Sequence, residues 1–164
     1  MSTLHSITTC LWFDQQAEEA ARHYCGIFPN SRIGAITRYT EVGVEHHGRP
    51  SGSVMTVSFE LNGHPFVGLN GGPVFRFSEA VSFQIRCADQ AEVDHYWEHL
   101  GAGGDPAARQ CGWLKDRYGV SWQVVPQLLL DLLQHPDAAV VRRVSEAMFP
   151  MKKIDIAALE LAAG

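Results

Sequence analysis

The 164-residue sequence lacks any apolar run near the ~20 residues that a helix needs to cross a bilayer, which excludes a helical membrane protein. Its first residues, Met1-Ser2-Thr3-Leu4-His5, lack the basic and apolar regions of a secretory signal, so a cytoplasmic protein is expected. Positive charge is in short supply: 13 Lys and Arg stand against 18 Asp and Glu, a net charge of −5. A nucleic-acid-binding face needs the opposite balance, so no nucleic-acid partner is expected. Cysteine is scarce as well. Cys10, Cys25, Cys87 and Cys111 include no Cys-x-x-Cys pair, which argues against a zinc ribbon and a thioredoxin-type motif. They read as reduced, mostly buried thiols. With 46% hydrophobic and only 19% charged residues, the composition is not that of a disordered chain. It suits one compact domain or two small halves sharing a core.

What is present is a repeat. Ile7-Thr-Thr-Cys-Leu-Trp-Phe-Asp-Gln-Gln-Ala-Glu-Glu-Ala and Val81-Ser-Phe-Gln-Ile-Arg-Cys-Ala-Asp-Gln-Ala-Glu-Val-Asp each read as a short strand followed by a helix start. Their shared Gln-Ala-Glu begins at Gln16 and at Gln90, an offset of 90 − 16 = 74 residues. Ala17, Ala20, Ala21, Tyr24 and Phe28 form one helical stripe; Val93, Tyr96, Trp97 and Leu100 form another. Asp89 with Glu92 predicts a capping box, and Asp14 is expected to start the first helix similarly. Strands are expected over 32–40, 54–61 and 66–70, with Asn62-Gly63 as a hairpin turn. The second half offers 111–115 and 120–125 around Asp116-Arg117-Tyr118-Gly119. Each half therefore reads as β-α-β-β-β, although the strand after the second helix has no clear pattern. From Pro126 onward, Leu128–Leu133, a segment capped by Asp137 and one capped by Asp155 predict three short helices, which need a partner surface.

Gln110-Cys-Gly-Trp-Leu-Lys-Asp-Arg-Tyr-Gly-Val-Ser-Trp-Gln-Val-Val-Pro126 resembles the signature of the PhnB-like group of the vicinal oxygen chelate superfamily. That superfamily also holds glyoxalase I, bleomycin-resistance proteins and extradiol dioxygenases. Leu11-Trp-Phe-Asp, Asn70-Gly-Gly-Pro73, Asp89-Gln-Ala-Glu-Val-Asp94 and Met151-Lys-Lys-Ile-Asp-Ile156 extend the likeness over most of the chain. The resemblance implies an α+β fold of two βαβββ modules forming a curved-sheet cleft, plus C-terminal helices. The modules would span 5–73 and 79–126, with the helices in 127–164. It implies a homodimer too, and a group often named 3-demethylubiquinone-9 3-methyltransferase. A Rossmann-type methyltransferase needs a glycine-rich turn after a strand, whereas Gly101-Ala-Gly-Gly104 follows a helix.

The resemblance further implies a divalent metal held by His, Glu or Gln from strands of both modules. Strand alternation puts Thr8, Cys10, Trp12, Asn70, Ser82, Gln84, Arg86, Ser121 and Gln123 on the cleft side, with Trp113 as a second flat wall. These residues offer neither imidazole nor carboxylate, so no metal and no other cofactor is expected. Cys10 could act as a nucleophile only beside a base or a positive charge, which Arg86 could supply. His5 could reach the cleft mouth. Glu45-His46-His47 lies in a glycine-rich loop from Gly43 to Gly52 that could close over a ligand. His23, His95 and His99 fall on helices and His64 and His135 at exposed turns, where solvated side chains are expected. Lys115-Asp116 is expected to stabilise its turn, with Lys115 able to face an anion. The function expected is binding of a small organic molecule, with an enzyme of the same fold as the alternative.

Overall fold

The structure, a computed structural model, describes residues 7–164, so His5 lies outside the described residues. The chain divides into two compact units, one ending at Arg76 and the other Phe77–Gly164.

In the first unit, β1 (Thr9–Phe13), α1 (Ala17–Ile27), β2 (Arg32–Arg38), a one-turn α2 (Val44–His47), β3 (Val54–Leu61) and β4 (His64–Asn70) follow in order. The sheet runs β1-β4-β3-β2, with β1 and β4 parallel and the other pairs antiparallel. Asn62 (φ 46°) and Gly63 (φ 80°) both adopt left-handed backbone, as a two-residue hairpin turn between β3 and β4 requires. The small stripe Ala17, Ala20 and Ala21 lets α1 settle close onto the sheet, with Tyr24 and Ile27 filling beside it. A Cβ at Gly68 would stand 3.1 Å from the Ala17 Cβ, so the helix start rests almost on the β4 backbone. Leu11, Phe13, Val57, Phe59 and Phe66 complete this core, each burial stabilising by about 1.5–3 kcal/mol.

Two expectations at this junction exchange places. Asp14 does not cap α1; the cap position is Gln16, with no side-chain hydrogen bond of its own. The Ala17 N–H donates instead to Asn70 Oδ1 (2.9 Å), while Asn70 Nδ2 donates to Val54 O (3.1 Å). Asn70, expected on the cleft side, therefore lies on the helix-facing side and is buried. The parallel pairing explains this: Trp12 registers with Leu69 and the buried Phe13 with Asn70, so the expected β4 alternation is off by one residue.

The second unit contains β5 (Phe83–Cys87), α3 (Gln90–Gly101), a 3-10 turn (Pro106–Ala108), β6 (Trp113–Lys115), β7 (Ser121–Pro126), α4 (Gln127–Leu133), α5 (Ala138–Met148) and α6 (Ile156–Ala163). Its sheet runs β5-β7-β6, with β5 and β7 parallel. The 74-residue offset carries β1 onto β5 residue for residue. The capping box forms: Asp89 Oδ1 accepts from Glu92 N (2.9 Å), and Glu92 Oε2 from Ala88 N (2.7 Å). Among the described residues no strand lies between α3 and β6, so this sheet has three strands where the repeat reading expects four. That segment is bound to the helix end instead. Arg109 Nη2 donates to Gly101 O (2.7 Å), and Gly104 presses on the β6 backbone, where an added Cβ would stand 2.0 Å from Lys115 O.

Asp116 holds the β6–β7 turn from inside. Its carboxylate accepts from Tyr118 N (2.8 Å), Val120 N (3.0 Å) and the buried Trp122 Nε1 (2.8 Å). Asp137 and Asp155 cap α5 and α6 as expected. The helices bury Leu129, Val140, Val144, Ile154 and Leu159 together with Val125 of β7, so this unit itself supplies a partner surface. Gln90 stitches α3 to the approach to α6 through Ile154 O (3.2 Å) and Ile156 N (2.9 Å).

Replacing Asn70 by Ala leaves buried backbone groups of Ala17 and Val54 without partners. Asn70→Ala is expected to lower unfolding stability by about 1–3 kcal/mol in urea denaturation, whereas the exposed Gln15→Ala is expected to be neutral. A second expectation concerns alkaline pH. Burial first, then the Glu92 and Asp89 carboxylates, push the Cys87 thiol up to about 12. An unfolded chain releases that proton near ~8.5, so this contribution is full below ~8.5 and is lost as pH rises toward 12. Denaturation between neutral and alkaline pH should show a shallower loss of stability in Cys87→Ala than in the parent chain.

Candidate functional site

On the face of the first sheet away from α1, alternation places Cys10 and Trp12 of β1, Val67 and Leu69 of β4, and Thr56 and Ser58 of β3. A cavity of about 480 Å³ opens at the Trp12–Leu69 end, walled also by Tyr39, His46, His47, Arg49 and the Gly71–Val74 segment. The aromatic residue and the glycine-rich loop singled out from the sequence thus meet in one pocket, although 60 residues of chain separate Trp12 from the far wall at Gly72.

Each wall is held by an identifiable contact. Trp12 Nε1 donates to Gly72 O (2.8 Å), and its ring meets Phe75 edge-on at 4.9 Å. Only glycine fits at Gly71, where a Cβ would stand 2.1 Å from the indole. The expected polar loop contains the one-turn α2, bracketed by Gly43 (φ 82°) and Gly48 (φ 62°) in left-handed backbone that glycine adopts freely. Tyr39 stacks against His47 at 4.5 Å and donates from its hydroxyl to Asn70 O (2.7 Å). The Arg49 N–H donates to His47 Nδ1 (3.0 Å), so in the neutral ring the proton sits on Nε2, 3.3 Å from Val42 O. Arg49 Nη2 reaches the Asp14 carboxylate (3.0 Å) and also the Asp14 carbonyl, with only 18% of its side chain exposed. Asp14, expected as a helix cap, instead holds the far side of this pocket in place.

A smaller cavity of about 210 Å³ lies on the same sheet face, lined by Thr8, Arg32, Gly34, Ser58, Glu60 and Val67 among others. Cys10 is exposed, and burial of its sulfur raises its pKa, the opposite of what a nucleophile needs.

In the second unit, Gln84, Gln123 and Trp113 register side by side across β5, β7 and β6. Gln123 Nε2 donates to Ser82 Oγ (2.8 Å), and Gln84 Nε2 to Gln123 Oε1 (3.4 Å). Ser121, on the same face by alternation, is 2% exposed, and its hydroxyl has no hydrogen-bond partner among the described residues. Arg86 is exposed and registers with Val125. Lys115 pairs with Glu79 rather than standing open to an anion.

The superfamily metal is a poor fit to these residues. Ser82, Gln84 and Gln123 are neutral and already hydrogen-bonded to one another, and a borderline divalent ion wants imidazole, thiolate or carboxylate. Among the described residues no three His, Cys, Asp or Glu side chains gather as a metal-binding group. Sequence reasoning missed Tyr39, Arg49 and Leu69. Arg49 lies inside the Gly43–Gly52 loop, and alternation counted from Asn70 as a cleft residue puts Leu69 on the opposite face, one residue out of register.

The family model described as 3-demethylubiquinone-9 3-methyltransferase matches residues 5–125. A putative 3-demethylubiquinone-9 3-methyltransferase, PhnB protein, from Bacillus cereus is 32% identical with a TM-score of 0.64, covering 74% of this chain and 99% of that one. Protein PA1353 from Pseudomonas aeruginosa shares 17% identity with a TM-score of 0.55, over 75% of this chain and 98% of that one. The fosfomycin resistance protein FosX from Mesorhizobium loti shares 17% identity with a TM-score of 0.52, over 82% and 100%. No curated protein matches the chain. The matched stretch runs from ahead of β1 to Val125 in β7, through both repeat units, and the chain belongs to the PhnB-like family described as 3-demethylubiquinone-9 3-methyltransferase.

Proposed function

We propose that this chain is a small-molecule-binding protein whose site is the Trp12–Tyr39–His47–Arg49 pocket, and that it works without the superfamily metal. The observation that carries the reading is the convergence of an indole, an imidazole-bearing turn and a guanidinium on one cavity of about 480 Å³. That volume suits a ligand of about drug size, and the mix of flat apolar walls with a few polar groups is that of an organic-molecule site. The ligand class is a planar molecule with an apolar body and hydrogen-bond acceptors, met by Trp12 and Leu69 on one side and by His46 and Arg49 on the other. We further propose a cytoplasmic homodimer. Phe149 and Leu161, exposed on the C-terminal segment, support the second subunit, and the four free cysteines support a reducing compartment.

A second reading, an enzyme of the same fold, is favoured by His46, an exposed imidazole beside Glu45 (3.3 Å) at the pocket wall. Methyl transfer from S-adenosylmethionine has less support. Gly101–Gly104 follows a helix, and Gly104 is required by its approach to the Lys115 carbonyl rather than by a phosphate or ribose.

Naphthalene-2-carboxylate serves as a planar probe. Calorimetric titration is expected to show one site per chain, weakened about tenfold by Trp12→Ala, equivalent to ~1.4 kcal/mol. Equal binding by the parent chain and Trp12→Ala would sink the pocket assignment. S-adenosylmethionine titrated in the same way is expected to release no heat of binding.

A further inference from the structure

Outside the pocket, two histidines stand one turn apart on α3. We propose that His95 and His99 form a divalent transition-metal site of the copper or nickel kind on the surface of the second unit, away from the strand positions where the superfamily holds its metal. The i, i+4 spacing puts both rings on one helix face, the geometry by which helical histidine pairs chelate. Both side chains are exposed, and their ring centroids lie 4.4 Å apart at an interplanar angle of 40°. His99 Nδ1 lies 2.7 Å from the His95 carbonyl oxygen, which can only accept, so the Nδ1–H is the donor. The His99 lone pair is then on Nε2. A backbone carbonyl on the far nitrogen is the arrangement that fixes the tautomer of metal-bound imidazoles and raises their basicity.

Donor chemistry points to the ion. Imidazole suits Cu2+ and Ni2+, with copper the tighter of the two in the divalent series, and centroids 4.4 Å apart leave both rings within reach of one ion. Of the carboxylates on the helix, Glu92 accepts from Ala88 N and Asp94 pairs with Lys153 (2.6 Å), while Glu98 next to His99 is exposed. The two imidazoles are the ligands proposed, with oxygen donors in the remaining positions.

The test is isothermal titration of the full chain with CuCl2 alone and with NiCl2 alone, in a buffer that does not chelate. One ion per chain is expected, with copper tighter than nickel. His95→Gln and His99→Gln are each expected to weaken nickel at least tenfold, and the double variant to abolish the site. His135→Gln, an exposed histidine elsewhere, is expected to change nothing. Circular dichroism checks that the variants keep the helix. Full-strength binding in the double variant, or binding lost through Gln123→Ala instead, overturns the proposal, as does the absence of any binding in the parent chain. None of these outcomes depends on whether the first unit's pocket takes naphthalene-2-carboxylate.

Discussion

The buried Asn70 side chain is the junction on which the first unit depends. Its amide links three elements: it caps the start of α1 at Ala17, bonds the chain entering β3 at Val54, and sits on the last residue of β4. Its main-chain oxygen takes the Tyr39 hydroxyl, so the pocket wall is tied to the same residue. An amide suits this position because it can donate and accept at once in a place where water does not reach. A carboxylate would have only acceptors to offer, and an apolar side chain would orphan both backbone groups. Helix placement and pocket shape are thus one constraint.

From that junction the pocket follows. Asp14 is released from capping because Asn70 performs that role, and it is available to Arg49. Arg49 in turn orients His47 through its own backbone N–H. A chain of local hydrogen bonds therefore runs from the end of β1, across the glycine-bracketed turn, to the imidazole that stacks on Tyr39. The half-buried Arg49 guanidinium is paired with the Asp14 carboxylate, so the charge at this wall of the cavity has a partner.

The two repeat units solve the same problem differently. Phe13 registers with Asn70, and at the equivalent point Cys87 registers with Pro126. Proline cannot cap a helix through its side chain, so α3 relies on its own Asp89 and Glu92. Pro126 instead begins the turn into α4, from which the C-terminal helices fold back over Val125. The cavity-facing Leu69 of the first unit corresponds to this buried Val125, which is how one duplicated plan gives a pocket in one half and a helical core in the other.

Local signals carried much of the architecture. The repeat offset, the Asn62-Gly63 turn, the Asp89 capping box, the Asp137 and Asp155 caps and the stripes on α1 and α3 are all properties of neighbouring residues, so the sequence states them directly. The family was legible too, because the Cys111–Asp116 run and its flanks are contiguous in the chain. Trp12 and the His46-His47 turn could each be singled out, but not their meeting, since the packing that joins them spans residues distant in sequence. Which face Asn70 and Leu69 take, and which partner Asp14 finds, depended on a parallel register between β1 and β4. Period-two alternation leaves such a register undetermined by one residue, and only the burial of α1 against the assembled sheet decides it.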